Sequence, residues 1–239
     1  MAKIFIANWK MNLTYEASIK LAREYGKYLK NFSGQVIVCP DFLSLPAIAS
    51  ILKGGRLSLG AQDCAPAKLG AYTGAVSPAN LKKLGVKYVI IGHSERRGYF
   101  KEDNVLINQK LKEAQAVGLQ VILCVGESAQ ERCEGKTLEI VKYQVKRALK
   151  GLSKPLIIAY EPVWAIGSGR NATAIEASEV HSLIKSEARQ ILKKEIKVIY
   201  GGSLNAKNGP EFKGAKDVDG FLVGGASLKA SEFYKICQL

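Results

Sequence analysis

No apolar run in the 239-residue chain approaches the roughly 18 residues of a membrane span, so none is expected. Histidine occurs only twice, at His93 and His181. The five cysteines (Cys39, Cys64, Cys124, Cys133, Cys237) show no CxxC or CxxxH spacing. That pattern points away from a disulfide framework or a metal site and toward buried thiols in a reducing compartment. The N-terminal MAKIFIANWK turns polar too soon for a secretory signal, so a cytoplasmic protein is expected. A dinucleotide-binding sheet would carry a GxGxxG turn after its first strand, where this chain has NWKMN. Aromatics make up only 8% of the chain, and no linker or low-complexity tract divides it.

Positive charge, by contrast, is abundant. Lys and Arg number 35 against 21 Asp and Glu, a net charge of +14. The cations are scattered as single lysines and KK pairs on helical faces, and no aromatic interleaves with a basic run. Scatter of this kind reads as a solvated surface and not as a nucleic-acid patch. A positive field would still help to draw in a small anionic substrate.

Short apolar runs such as VIVC, YVII and VILCV recur between amphipathic segments. Strands are predicted at Lys3–Asn8, Gln35–Pro40, Leu57–Gln62, Val86–Gly92, Leu119–Val125, Leu156–Glu161, Lys197–Gly201 and Asp219–Val223. Their weak alternation implies burial on both faces, as in a parallel sheet. Segments such as TYEASIKLAREYGKYLK and AIEASEVHSLIKSEARQILKK place apolar residues at helical spacing, and Thr14, Thr137 and Thr173 are predicted to cap helices. Eight strands alternating with helices in this length predict an α/β fold, a (β/α)8 barrel of eight parallel strands and outer helices forming one domain.

Chemistry in such a barrel sits at the C-terminal strand ends. Those ends carry Asn8 and Lys10, then His93 and Glu95, then Glu161, then Gly201-Gly202-Ser203, and finally Gly224-Gly225. A carboxylate under an apolar cover is a stronger base, which suits Glu161 to take a proton. His93 stands before a predicted helix, whose positive dipole end favours the neutral, hydrogen-bond-donating imidazole. His181 lies mid-helix with no partner constellation and is expected to be structural. Lysine is rarely buried alone, so Lys10 is expected to contact substrate, Glu95 or both. Paired glycines after the last two strands bare backbone N–H groups that can cradle a phosphate.

Taken together, NWKMN (8–12), GHSERR (92–97), YEPVWAIGSG (160–169), YGGS (200–203) and GFLVGGAS (220–227) resemble the signatures of the triosephosphate isomerase family, in order and over the whole chain. The resemblance implies a TIM barrel, a homodimer, interconversion of dihydroxyacetone phosphate and D-glyceraldehyde 3-phosphate, and neither metal nor organic cofactor. It implies that Glu161 shuttles the carbon-bound proton while neutral His93 polarises the carbonyl, a pairing for which this family is itself the standard example. Lys10 then supplies positive charge, Asn8 orients polar groups, and Glu95 stands behind Lys10. Backbone N–H groups of Gly167, Ser203, Gly224 and Gly225 would hold the phosphate.

Residues 162–172 would form a lid that keeps water from the enediolate. Pro162, Val163 and Trp164 are its first hinge, Ala165, Ile166, Gly167, Ser168 and Gly169 its tip, and Arg170, Asn171 and Ala172 its second hinge. Tyr200 and Ser203 would hold it shut. The resemblance also sends the Gln62–Pro78 loop into a partner subunit, with Thr73 as a dimer contact. Asn171 departs from the Thr or Val common at that hinge position, and the chain is about ten residues shorter than common members. Cys124, near Glu161, is expected to be a packing residue.

Overall fold

The structure is a computed structural model and describes residues 3–166, 171–212, 214–215 and 217–239. Along the chain run β1 (Ile4–Asn8), α1 (Tyr15–Tyr28), β2 (Gln35–Cys39), α2 (Leu45–Leu52), β3 (Ser58–Ala61), α3 (Pro78–Lys83) and β4 (Tyr88–Ile91). Then follow α4 (Ser94–Tyr99), α5 (Asn104–Ala116), β5 (Gln120–Val125), α6 (Ala129–Cys133), α7 (Thr137–Ala148) and β6 (Ile157–Tyr160). The chain ends with α8 (Ala174–Leu192), β7 (Lys197–Tyr200), β8 (Gly220–Val223) and α9 (Ala230–Cys237). The strands pair in parallel, in chain order, and β8 returns to β1 to close the barrel. All eight predicted strands are present, each within one or two residues of its expected bounds.

Two apolar layers follow from the pleat, which sends alternate strand residues to opposite faces. Ile4, Ile6, Ile37, Tyr88, Ile90, Ile122, Ile157, Ile199 and Leu222 fill the barrel interior together with Cys39, Cys124 and Ala159. Their neighbours, among them Phe5, Val38, Val89, Leu123 and Ile158, face the helices. Except at β3, whose inward position is Gly60, both faces of the strands are therefore apolar, which is why the sequence shows runs and not alternation. Gly220 makes the β8–β1 closure possible, because a Cβ there would stand 2.0 Å from the Ile4 carbonyl oxygen.

Helix starts are mostly side-chain capped. Thr14 accepts the Ala17 N–H, and Thr173 with Glu176 forms a reciprocal capping box at α8. Thr137 departs from expectation. It is the first residue inside α7, preceded by Lys136, and makes no side-chain cap bond.

His181 is fully buried on α8, with Nδ1 2.9 Å from the Asp217 carbonyl oxygen and its ring edge-on to Tyr160. Nδ1 therefore carries the proton, and Nε2 faces the core without a partner among the described residues. Burial is the main cause that lowers its pKa to about 4, against the smaller opposing effect of the Asp217 bond. The unfolded chain binds this proton near pH 6.5 and the folded chain does not until about pH 4. Stability is therefore complete above pH 6.5 and declines as pH falls toward 4, by up to about 3 kcal/mol. Denaturant titrations at stepped pH should show this slope, and His181→Met should flatten it.

Candidate active site

The inward rows of the barrel predict what closes it at the C-terminal end. One step beyond the last apolar inward residue lie Asn8 on β1, Gln62 after β3, Glu161 after β6, and Gly92, Gly126, Gly201 and Gly224 after β4, β5, β7 and β8. Three polar side chains thus stand among glycines that leave them room. Asn8, Lys10, His93, Glu161, Ile166, Ser203, Gly224 and Gly225 share the wall of one cavity of about 470 Å3.

Glu161 is 2% exposed. Its Oε2 accepts the Ser94 N–H at 2.9 Å, and its Oε1 lies 3.1 Å from His93 Nε2. Its position depends on two glycines. A Cβ at Gly126 would stand 1.8 Å from the Glu161 carbonyl oxygen, and one at Gly201 would stand 2.9 Å from its Cγ. Below it, Cys124 is buried, and burial, reinforced by the Glu161 charge, pushes its thiol pKa well up. Cys124 is therefore a protonated packing residue, as expected from sequence.

His93 is the N-cap of α4, and its Nδ1 accepts the Glu95 N–H at 3.2 Å. An accepting Nδ1 carries no proton, so the ring is neutral and Nε2–H points at the carboxylate. Lys10 binds Glu95 at 2.6 Å through Nζ. Its backbone is in the left-handed region (φ 52°), which costs a non-glycine residue about 1 kcal/mol or more. Two contacts hold it there. Asn8 Oδ1 accepts the Lys10 N–H at 3.1 Å, and Gln62 Nε2 donates to the Lys10 carbonyl at 2.8 Å.

Gly224 adjoins Lys10, with a Cβ placed there only 3.5 Å from Lys10 Cε. The Gly224 and Gly225 N–H groups have no acceptor among the described residues, and Gly225 begins a single 3-10 turn. Ser203 is different. Its N–H donates to the Ala165 carbonyl at 3.2 Å and must release it to meet an anion.

Of the expected lid, Pro162–Ile166, Asn171 and Ala172 are described, whereas Gly167, Ser168, Gly169 and Arg170 lie outside the described residues. Val163–Ala165 form a 3-10 turn. Trp164 donates through Nε1 to Glu127 at 2.8 Å, and the Tyr160 hydroxyl donates to the same fully buried carboxylate at 3.1 Å. Burial and then the Glu127 charge raise the Tyr160 pKa, keeping its donor proton in place. Arg132 lies over the Trp164 ring at 4.2 Å and pairs with Glu176 at the start of α8. It therefore touches the elements on both sides of the lid. Tyr200 accepts the Ala172 N–H at 3.3 Å, and burial pushes its pKa up to about 12. Asn171 makes no described hydrogen bond that distinguishes it from a Thr or Val.

The expected set of Asn8, Lys10, His93, Glu95 and Glu161 thus lies together, with Ser203 and the 224–225 glycines at the ends of the adjoining strands β7 and β8. Thr73 stands apart, exposed on the loop after β3. Gln62, Glu127 and Arg132 were not anticipated, nor was Lys229 on the cavity wall. Gln62 follows β3 directly and Glu127 is the second residue after β5, so reading every strand end instead of five would have found them.

The family model described as triosephosphate isomerase matches residues 3–239. Curated proteins named triosephosphate isomerase are similar throughout. That of Carboxydothermus hydrogenoformans is 47% identical over 249 residues, covering 100% of this chain and 99% of its own. That of Thermoanaerobacter pseudethanolicus is 45% identical over 241 residues, with 98% and 97% covered. That of Dictyoglomus thermophilum is 44% identical over 245 residues, with 99% and 98% covered.

The clearance at Gly201 sets a test of the geometry. Gly201→Ala should displace Glu161 by a few tenths of an ångström to 1 Å, lowering kcat about 100-fold. Unfolding midpoints measured alongside should move far less than the activity.

Proposed function

The chain belongs to the triosephosphate isomerase family, and from that premise we propose that Glu161 is the base and His93 the electrophile as it interconverts dihydroxyacetone phosphate and D-glyceraldehyde 3-phosphate. The activity is that of an aldose–ketose isomerase. One observation carries the assignment of roles. A carboxylate 2% exposed faces a neutral imidazole N–H at 3.1 Å on the floor of a cavity that also carries the Gly224 and Gly225 N–H groups, which have no acceptor among the described residues.

Substrate enters with its phosphate on the Gly224 and Gly225 N–H groups. The Ser203 N–H joins after leaving Ala165, and Gly167 would add a further donor from the lid. Glu161 leaves Ser94, takes the proton from the carbon beside the carbonyl and returns it to the neighbouring carbon. His93 Nε2–H donates to the oxygen on which charge develops and moves protons between the two oxygens. Lys10, held by Glu95, stabilises the same charge, and Asn8 fixes the Lys10 backbone that aims it. Both proton transfers are served by side chains of the chain itself, so the reading needs no cofactor. Closure of 162–172 over the site would exclude water and strengthen each of these interactions.

The reading extends to a single-domain, cytoplasmic homodimer. Among the described residues no helix is long and apolar enough to cross a membrane, and all five cysteines are free. Large apolar side chains stand exposed after four successive strands: Met11, Leu43, Leu69 and Tyr72, then Tyr99 and Phe100. Such a patch on one side of the mouth favours a subunit contact. Thr73, next to Tyr72 on the loop after β3, would meet the partner beside that subunit's site.

A coupled triose phosphate assay tests the roles. Glu161→Asp, which withdraws the carboxylate by about 1 Å, should cut turnover by two to three orders of magnitude, about 3–4 kcal/mol. Full activity in that variant would remove Glu161 as base. Thr73→Arg should convert the dimer to monomer in sedimentation and lower turnover with it. A wild-type protein that sediments as a monomer at micromolar concentration would refute the dimer.

A further inference from the structure

The unexplained charge acquires a location once the barrel is closed. Because all eight strands are parallel, every strand starts at the end opposite the site, and the helices leading into the strands finish there. Six helix-to-strand junctions are described in full. Counted from the last four helical residues to the first strand residue, they are 25–35, 49–58, 80–88, 113–120, 145–157 and 189–197. They hold fifteen Lys and Arg against two acids, Glu113 and Glu195, an excess of thirteen within a net charge of +14. The remaining twenty cations and nineteen acids nearly cancel. Cations dispersed in sequence are thus gathered on one end of the molecule, and the excess does not surround the active-site mouth.

Helix dipoles account for only part of this. A cation in the last turn complements the negative helix end, but only Lys27, Lys82, Lys83, Lys146, Arg147 and Arg189 are so placed. The other nine lie beyond the helices, where mutual repulsion opposes the compact state. Among the described residues only Lys146 and Arg189 of the fifteen take part in ion pairs. Two cavities open on this end. One, of about 790 Å3, carries Lys154, Lys185, Arg189 and Lys197, and another, of about 400 Å3, carries Lys53, Lys83 and Lys87.

We infer that this end of the barrel binds the phosphodiester backbone of nucleic acid, independently of base sequence. Twelve of the fifteen cations are lysines, compact point charges suited to phosphate rather than to the forked hydrogen bonds that read base edges. Tyr28 is the one exposed large apolar side chain in the six junctions, so there is no platform for base stacking. The same lack disfavours a bilayer, where stable attachment takes an apolar anchor in addition to charge.

The test is fluorescence anisotropy of a labelled 20-base-pair duplex against the full chain at stepped salt. Contact with about five phosphates predicts a slope of log K against log salt near −4.5, or about a 500-fold loss between 50 and 200 mM. The double substitution Lys150→Glu with Lys194→Glu should weaken binding at least tenfold and reduce the slope by about two. Lys20→Glu with Arg23→Glu, an equal change of charge on the exposed flank of α1, should leave binding within about twofold. Isomerase turnover should be unchanged in both variants and in saturating duplex. No duplex binding at 50 mM salt would overturn the inference, and so would equal losses in the two variants. Tighter binding to phosphatidylserine vesicles than to duplex would assign the face to membranes instead.

Discussion

The pleat of the strands is the constraint on which the rest depends. It divides each strand into an inward and an outward row, and seven of the eight inward rows fill the barrel with isoleucine, leucine, Tyr88 and a few smaller residues. Where that filling stops, the next inward position is the first with space above it. At the seven strands other than β2, Asn8, Gln62 and Glu161 take three of these positions and glycines take four. The site is therefore the topmost layer of the core, with a floor as closely packed as the interior below. That rigidity holds the Glu161 carboxylate and the His93 imidazole 3.1 Å apart.

Strain and polarity gather at this layer because the packing beneath can hold them. Lys10 adopts a left-handed backbone that two neighbouring side chains brace, and Glu127 is wholly buried yet satisfied by Tyr160 and Trp164. Each is costly alone. Each is also tied to a neighbouring part of the mouth, Lys10 to Glu95 and Glu127 to the 3-10 turn that carries Trp164.

Much of this was legible in the sequence. Strands buried on both faces announce themselves as runs such as VILCV, and the residues after β1, β4, β6, β7 and β8 that line the cavity could be read directly as a candidate site. Thr137 misled because a Thr before a helical pattern caps only if the backbone turns at that residue, and here the turn falls at Lys136. Gln62 and Glu127 are ordinary polar residues until strand parity shows which way they point. The charge distribution was the least legible. Junctions separated by tens of residues become neighbours only when the barrel closes, so even scatter along the chain is compatible with concentration in space.

Separation of the charged end from the mouth carries a consequence for how such a protein can change over generations. The strands hold the two ends apart by about 15–20 Å at roughly 3.3 Å per residue, about two screening lengths at physiological ionic strength. Lysines can be gained or lost at the helix-to-strand junctions with little effect on the potential at Glu161 and His93. One end of the molecule is therefore free to drift or to acquire new associations, while the other is held by clearances of a fraction of an ångström.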